Sequence, residues 1–103
     1  MLKRDATDVN ARAGAMVGLG KITFEAAGGD KDAFKKALLM FLRVRLETKD
    51  CWPTLQAEAL YYAALSAAKW GGPESNLISN RCRNTLASEF AGTEWAQRAK
   101  EGR

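Results

Sequence analysis

The sequence predicts an all-α fold: two helix-turn-helix hairpins stacked on one another, followed by a short C-terminal helix. Three observations predict it. Apolar residues recur at i, i+3, i+4 and i+7 in successive stretches, the period of a helix face. Gly-Gly pairs at 28–29 and 71–72, 43 residues apart, interrupt those stretches. No stretch alternates apolar and polar residues with period two, so no strand is expected. The 103 residues read as one domain, with hairpin one over 7–48, hairpin two over 53–91 and the terminal helix over 93–101.

In chain order, Asp5 or Thr7 can cap the first helix, with Asp8 in its first turn where the helix dipole favours an acid. Val9, Ala13, Met16, Gly20, Phe24 and Ala27 form its apolar stripe. Gly14, Gly18 and Gly20 each cost about 1 kcal/mol against alanine in a helix interior. A second helix packed closely over them would offset that cost. Gly28-Gly29 stops this helix and Asp30 caps the next. Over 33–46 the apolar set is Phe34, Ala37, Leu38, Phe41, Leu42 and Leu46, with Met40 and Val44 on an adjoining face. This second helix is therefore expected to be covered from two sides, with Phe41 at the centre of the core. Pro53 suits the first turn of the third helix, where its missing N–H is unpaired anyway. Leu55, Ala59, Tyr62, Ala63, Ser66 and Trp70 share one side of that helix, and Gly71-Gly72 closes it. Pro73 is expected to open the fourth, where Ile78, Cys82, Leu86 and Phe90 recur every four residues. Gly92 ends it, and Thr93 with Glu94 starts the last helix, carrying Trp95, Ala96 and Ala99.

Composition narrows the function. Hydrophobic residues make up 47 % and charged residues 27 %, which is ordinary for a folded soluble chain. The longest charge-free run, 59–68, falls far short of the ~20 apolar residues of a membrane span. Met1-Leu2-Lys3-Arg4 is basic but no apolar leader core follows, so a cytoplasmic location is expected. Cys51 and Cys82 stand at no metal-ligand spacing and read as reduced, packed thiols. Histidine is absent, which removes imidazole bases, Ser-His and Cys-His pairs and imidazole-bound metals. Gly18-Leu19-Gly20-Lys21 is no phosphate loop, since Ala15 and Ile22 stand where that motif needs glycine and Ser/Thr. Glu25, Asp30 and Asp32 flank a turn, where acids cap helices. No catalytic residue, cofactor or metal is expected. The net charge of +4 raises a nucleic-acid reading. Its densest cations, Lys31, Lys35, Lys36, Arg43, Arg45 and Lys49, have no interleaved aromatic ring and read as a solvated face. Tyr61, Tyr62 and Trp70 read as core at helical spacing, and Asn76, Asn80 and Asn84 as a solvent-facing ladder beside Arg81.

Gly-Leu-Gly at 18–20, Gly29-Asp30 and Ala37-x-x-x-Phe41 resemble the small-residue helix, turn and Ala/Phe helix of the tetratricopeptide repeat family. Ala59, Tyr62, Ala63, Gly72 and Cys82-x-x-x-Leu86 form the second copy, and the ending from Glu89 to Ala96 resembles the tails of bacterial repeat proteins. The chain departs from the family in its 43-residue spacing against the usual ~34, in Ala91 where proline is common, and in lacking an early tryptophan in copy one. HEAT-like or armadillo-like repeats of ~40–47 residues, or a plain helical bundle, are the other all-α arrangements. The resemblance implies a right-handed helical solenoid acting as a non-catalytic protein-protein interaction or scaffold module, adaptor or assembly subunit. It also implies a partner groove across the first helix of each hairpin, lined by Val17, Lys21, Glu25, Leu60, Ala64 and Ala68. A small basic nucleic-acid-associated helical protein is the alternative. Two hairpins bury too little by themselves, so a protein partner or self-association is expected at an open end, around the first helix.

Overall fold

The computed structural model describes residues 5–48 and 50–101. Over them the chain forms α1 (Asp5–Ala26), α2 (Lys31–Glu47), α3 (Pro53–Trp70), α4 (Ser75–Glu89) and α5 (Glu94–Lys100). No strand occurs among the described residues.

The helix ends follow local chemistry. Gly28 and Gly71 take left-handed φ values of 59° and 65°, which cost glycine nothing and let the chain leave each helix sharply. Asp30 caps α2 by accepting the Asp32 N–H at 2.9 Å. Pro53 sits in the first turn of α3. Thr93 caps α5, its hydroxyl accepting the Ala96 N–H at 3.2 Å. The capping expected of Asp5 or Thr7 rests on side chains outside the described residues.

One start differs from expectation. Pro73 does not open α4; the Ser75 N–H first donates to the Gly72 carbonyl at 3.1 Å, and Glu74 takes a left-handed φ of 67° before the helix begins. The Trp70 indole folds back against Gly72, where a Cβ would lie 2.3 Å from the ring.

The core is organised around α3 rather than α2. Helix α2 is indeed covered on two sides, by α1 and α3, but α3 packs against all four other helices. Phe41 is 1 % exposed, lies over Gly20 of α1 and stacks on Tyr62 of α3 at 5.6 Å between centroids. Leu38, Val44 and Leu86 are buried with it, whereas Leu42, Tyr62 and Phe90 are only partly buried. Leu46 is a correction to the expected stripe: at 79 % exposure it points away from the side of α2 that Phe41, Val44 and the following Thr48 bury. Of the three helical glycines only Gly20 allows a close approach; a Cβ added at Gly14 or Gly18 would meet nothing within 4 Å. Helices α1 and α3 touch, as do α3 and α5, while α2 and α4 do not pack together among the described residues. A side-chain ion pair, Arg45 to Glu89 at 3.6 Å, spans that gap.

Candidate interaction face

Glu58, Tyr62, Leu65 and Lys69 recur at i, i+4, i+7 and i+11, which places them on one side of α3. The first three are partly buried and Lys69 is exposed, so this is the side of α3 that its neighbours leave open. Helix α1 flanks it with Lys21 and Phe24, and α5 with Trp95 and Arg98.

The face is held by rings. Phe24 meets Tyr62 edge-on at 5.8 Å, and Trp95 lies 5.9 Å from Tyr62 and 5.4 Å from Tyr61. Tyr61 is itself T-shaped against Tyr62 at 5.2 Å, and Phe24 continues the chain of contacts to Phe34 at 5.4 Å. Edge-to-face pairs of this kind contribute about 0.5–1.5 kcal/mol each beyond area burial. One ladder of rings therefore fixes α1, α2, α3 and α5 relative to one another.

Charge is arranged over the rings. The Lys21 ammonium donates to Glu58 Oε2 at 2.9 Å and lies 5.4 Å above the Tyr62 ring. The hydrogen bond to Glu58, aided by its charge, raises the Lys21 pKa against the opposing effect of burial. Arg98 lies 4.7 Å over Trp95 and pairs with Glu94 at 2.9 Å. Lys69 extends over Phe34 at 5.8 Å. The result is an amphipathic surface: aromatic and aliphatic in its floor, charged at its edges.

The six residues expected to line a groove do not come together as one. Val17, Leu60 and Ala64 are each 3 % exposed and belong to the core. Ala64 faces α4, where its carbonyl accepts the Ser79 hydroxyl at 3.1 Å. Covered on several sides, α3 has no free face opposite its first-hairpin contact, and that removes Leu60 and Ala64 from the surface. Lys21 reaches the open face but pairs with Glu58 rather than along its own helix with Glu25. Glu25 and Ala68 are exposed at its margins. The residues missed are Glu58, Tyr62, Leu65 and Lys69 of α3, Phe24 of α1, and Trp95 and Arg98 of α5. The four-residue stripe on α3 is legible as a helical period, whereas its pairing with α1 and α5 depends on tertiary contacts.

Elsewhere, Asn76, Asn80, Arg81 and Asn84 are exposed, as expected of a solvated ladder. Cys51 and Cys82 are free and buried, and burial pushes the Cys82 thiol up to about 11. Among the described residues no group of three or more His, Cys, Asp or Glu is placed to hold a metal ion, and no helix is long and apolar enough to cross a membrane. Compared with known proteins, the chain matches no family model, no curated protein and no solved structure.

Proposed function

We propose that this chain is a non-catalytic, tetratricopeptide-like interaction module, an adaptor or assembly subunit that receives a protein segment on the α1–α3–α5 face. One observation carries the reading: partly exposed rings and an aliphatic side chain form a floor across three helices, and charges rim it. Aromatic residues offer large contact area at low conformational cost, and a polar rim around an apolar centre is the usual build of a protein-binding surface. The packing of α1 on α3 and of α3 on α5, with α2 and α4 apart, is what stacked hairpins require. Two buried, free thiols support a reducing compartment such as the cytoplasm.

The nucleic-acid reading fares less well. Arg43 and Arg45 bind Glu47 and Glu89, and Lys35 and Lys69 lie over Trp70 and Phe34, so several cations are engaged within the chain. The test is comparative capture from the native source with Ala68→Glu and Lys69→Glu, both exposed on or beside the open α3 face, against Asn80→Glu and Arg81→Glu on α4. The proposal expects the first pair to lose a stoichiometric partner that the second pair keeps, with melting temperatures nearly unchanged. Loss with the α4 pair alone would move the working surface to the other side.

A further inference from the structure

The two ends of the helix row are unlike, and they match each other. At one end, α1 packs among the described residues on α2 and α3 alone. Its outer side carries Ala15, Leu19, Ile22 and Ala26 at i, i+4, i+7 and i+11, all exposed. Leu19 is 54 % and Ile22 64 % exposed, and no charge interrupts the four. Glu25 stands exposed beside this stripe. At the other end, α5 packs among the described residues on α3 and α4 alone, and a cleft of about 400 Å³ opens between α4 and α5. Ala87, Ala91 and Ala99 are among the small residues lining it, with Arg83 and Lys100 at its sides. Neither cation has an ion-pair partner among the described residues.

We propose that a second copy of this chain docks head to tail, the Leu19–Ile22 side of α1 in one molecule filling the α4–α5 cleft of the next. Two bulky aliphatic side chains meet a cleft walled by alanines, so the contact interleaves large with small and lets the helices approach closely. The acid beside the stripe, Glu25, complements Arg83 and Lys100, the cations that flank the cleft. Burying Leu19 and Ile22 supplies the driving force, because exposed aliphatic surface at this spacing is removed from water. The contact is heterologous, so every open assembly retains one free α1 end and one free cleft, and it grows until it closes or is capped. The ring floor of the α1–α3–α5 face takes no part, Glu25 alone standing at the margin of both surfaces, and the inference stands apart from the function proposed for that face.

The test is sedimentation velocity of the full chain over a concentration series from micromolar to millimolar. Wild type should gain average mass with concentration, continuing past dimer. Ile22→Lys blocks one end and Ala87→Lys the other, both at exposed helical positions, and each alone should raise the concentration at which association begins by roughly tenfold or more. Mixed together, the two variants still hold one intact end each. They should form a one-to-one complex that grows no further. Charge reversal gives a second route on exposed side chains: Glu25→Lys and Arg83→Glu should each weaken association several-fold, and the two combined in one chain should recover it. A wild-type chain that stays monomeric throughout overturns the proposal. So does association abolished by Ile22→Lys but untouched by Ala87→Lys and Arg83→Glu, the signature of α1 pairing with α1.

Discussion

Gly20→Ala sets helix propensity against packing at a single atom. In a helix interior, alanine is favoured over glycine by about 0.8–1 kcal/mol. A Cβ at position 20, however, would lie 2.6 Å from Phe41 Cε1, 2.8 Å from Cζ and 3.0 Å from Cδ1, well inside contact distance. The Phe41 ring cannot readily retreat, being 1 % exposed and stacked on Tyr62 at 5.6 Å. An inserted methyl in a close-packed core costs about 1–3 kcal/mol. The net effect should be neutral to destabilising by about 2 kcal/mol. Gly18→Ala, two residues away on the same helix with nothing within 4 Å, should keep the full propensity gain. The two variants should thus differ by about 1–3 kcal/mol, and each kcal/mol moves the melting temperature of a small domain by about 4–8 °C. Thermal and urea melts followed by circular dichroism measure the gap. Adding Phe41→Leu to Gly20→Ala should recover part of the loss by freeing the space the ring occupied. If Gly20→Ala melts as high as Gly18→Ala, then α1 does not lie on Phe41 as described.

Ser66→Ala should stabilise the chain by about 1 kcal/mol, because the Ser66 hydroxyl is wholly buried with no hydrogen-bond partner among the described residues and alanine removes that polar group; a lower melting temperature would show that the hydroxyl is satisfied in solution. Cys82 should add a pH dependence of known sign. Below the ordinary thiol value of 9.0 both states hold the proton; above it the unfolded chain releases a proton that the folded chain keeps to about 11. Stability should therefore fall as pH rises from about 9 to about 11, more steeply in wild type than in Cys82→Ala, and identical slopes would contradict the burial of this thiol. Since Cys51 and Cys82 are both buried, a thiol-reactive disulfide should label neither in the native chain at neutral pH and both after denaturation.

The helix boundaries are legible in the sequence because their signals are local. A left-handed glycine, a capping aspartate or threonine and a first-turn proline each act within a few residues, and Gly28, Gly71, Asp30, Thr93 and Pro53 take those roles. Pro73 misleads because a turn precedes the helix: Glu74 takes a left-handed φ, which no local rule assigns to a glutamate, and α4 begins only at Ser75. The candidate face is half legible. Helix α3 is apolar nearly all round, so periodicity alone does not divide its surface among its neighbours, and it points Leu60 and Ala64 outward although both are buried. Lys21 stands out in the sequence and does reach the face, but its partner Glu58 lies 37 residues away and only the packing of α1 on α3 joins them. Trp95 carries no sign in its own stretch that it completes a ring ladder on α3. The same limit applies to the glycines of α1: all look alike in sequence, and the position of one ring on α2 separates Gly20 from Gly14 and Gly18.

The central claim is that the α1–α3–α5 face is the working surface. Hydrogen exchange read by mass spectrometry, on the chain alone and bound to the stoichiometric partner recovered by capture, tests it most directly. Bound chain should show added protection in peptides covering 17–25, 58–69 and 94–98, with peptides across 76–84 of α4 unchanged. Protection confined to α4, or none in α3 and α5, would contradict the account.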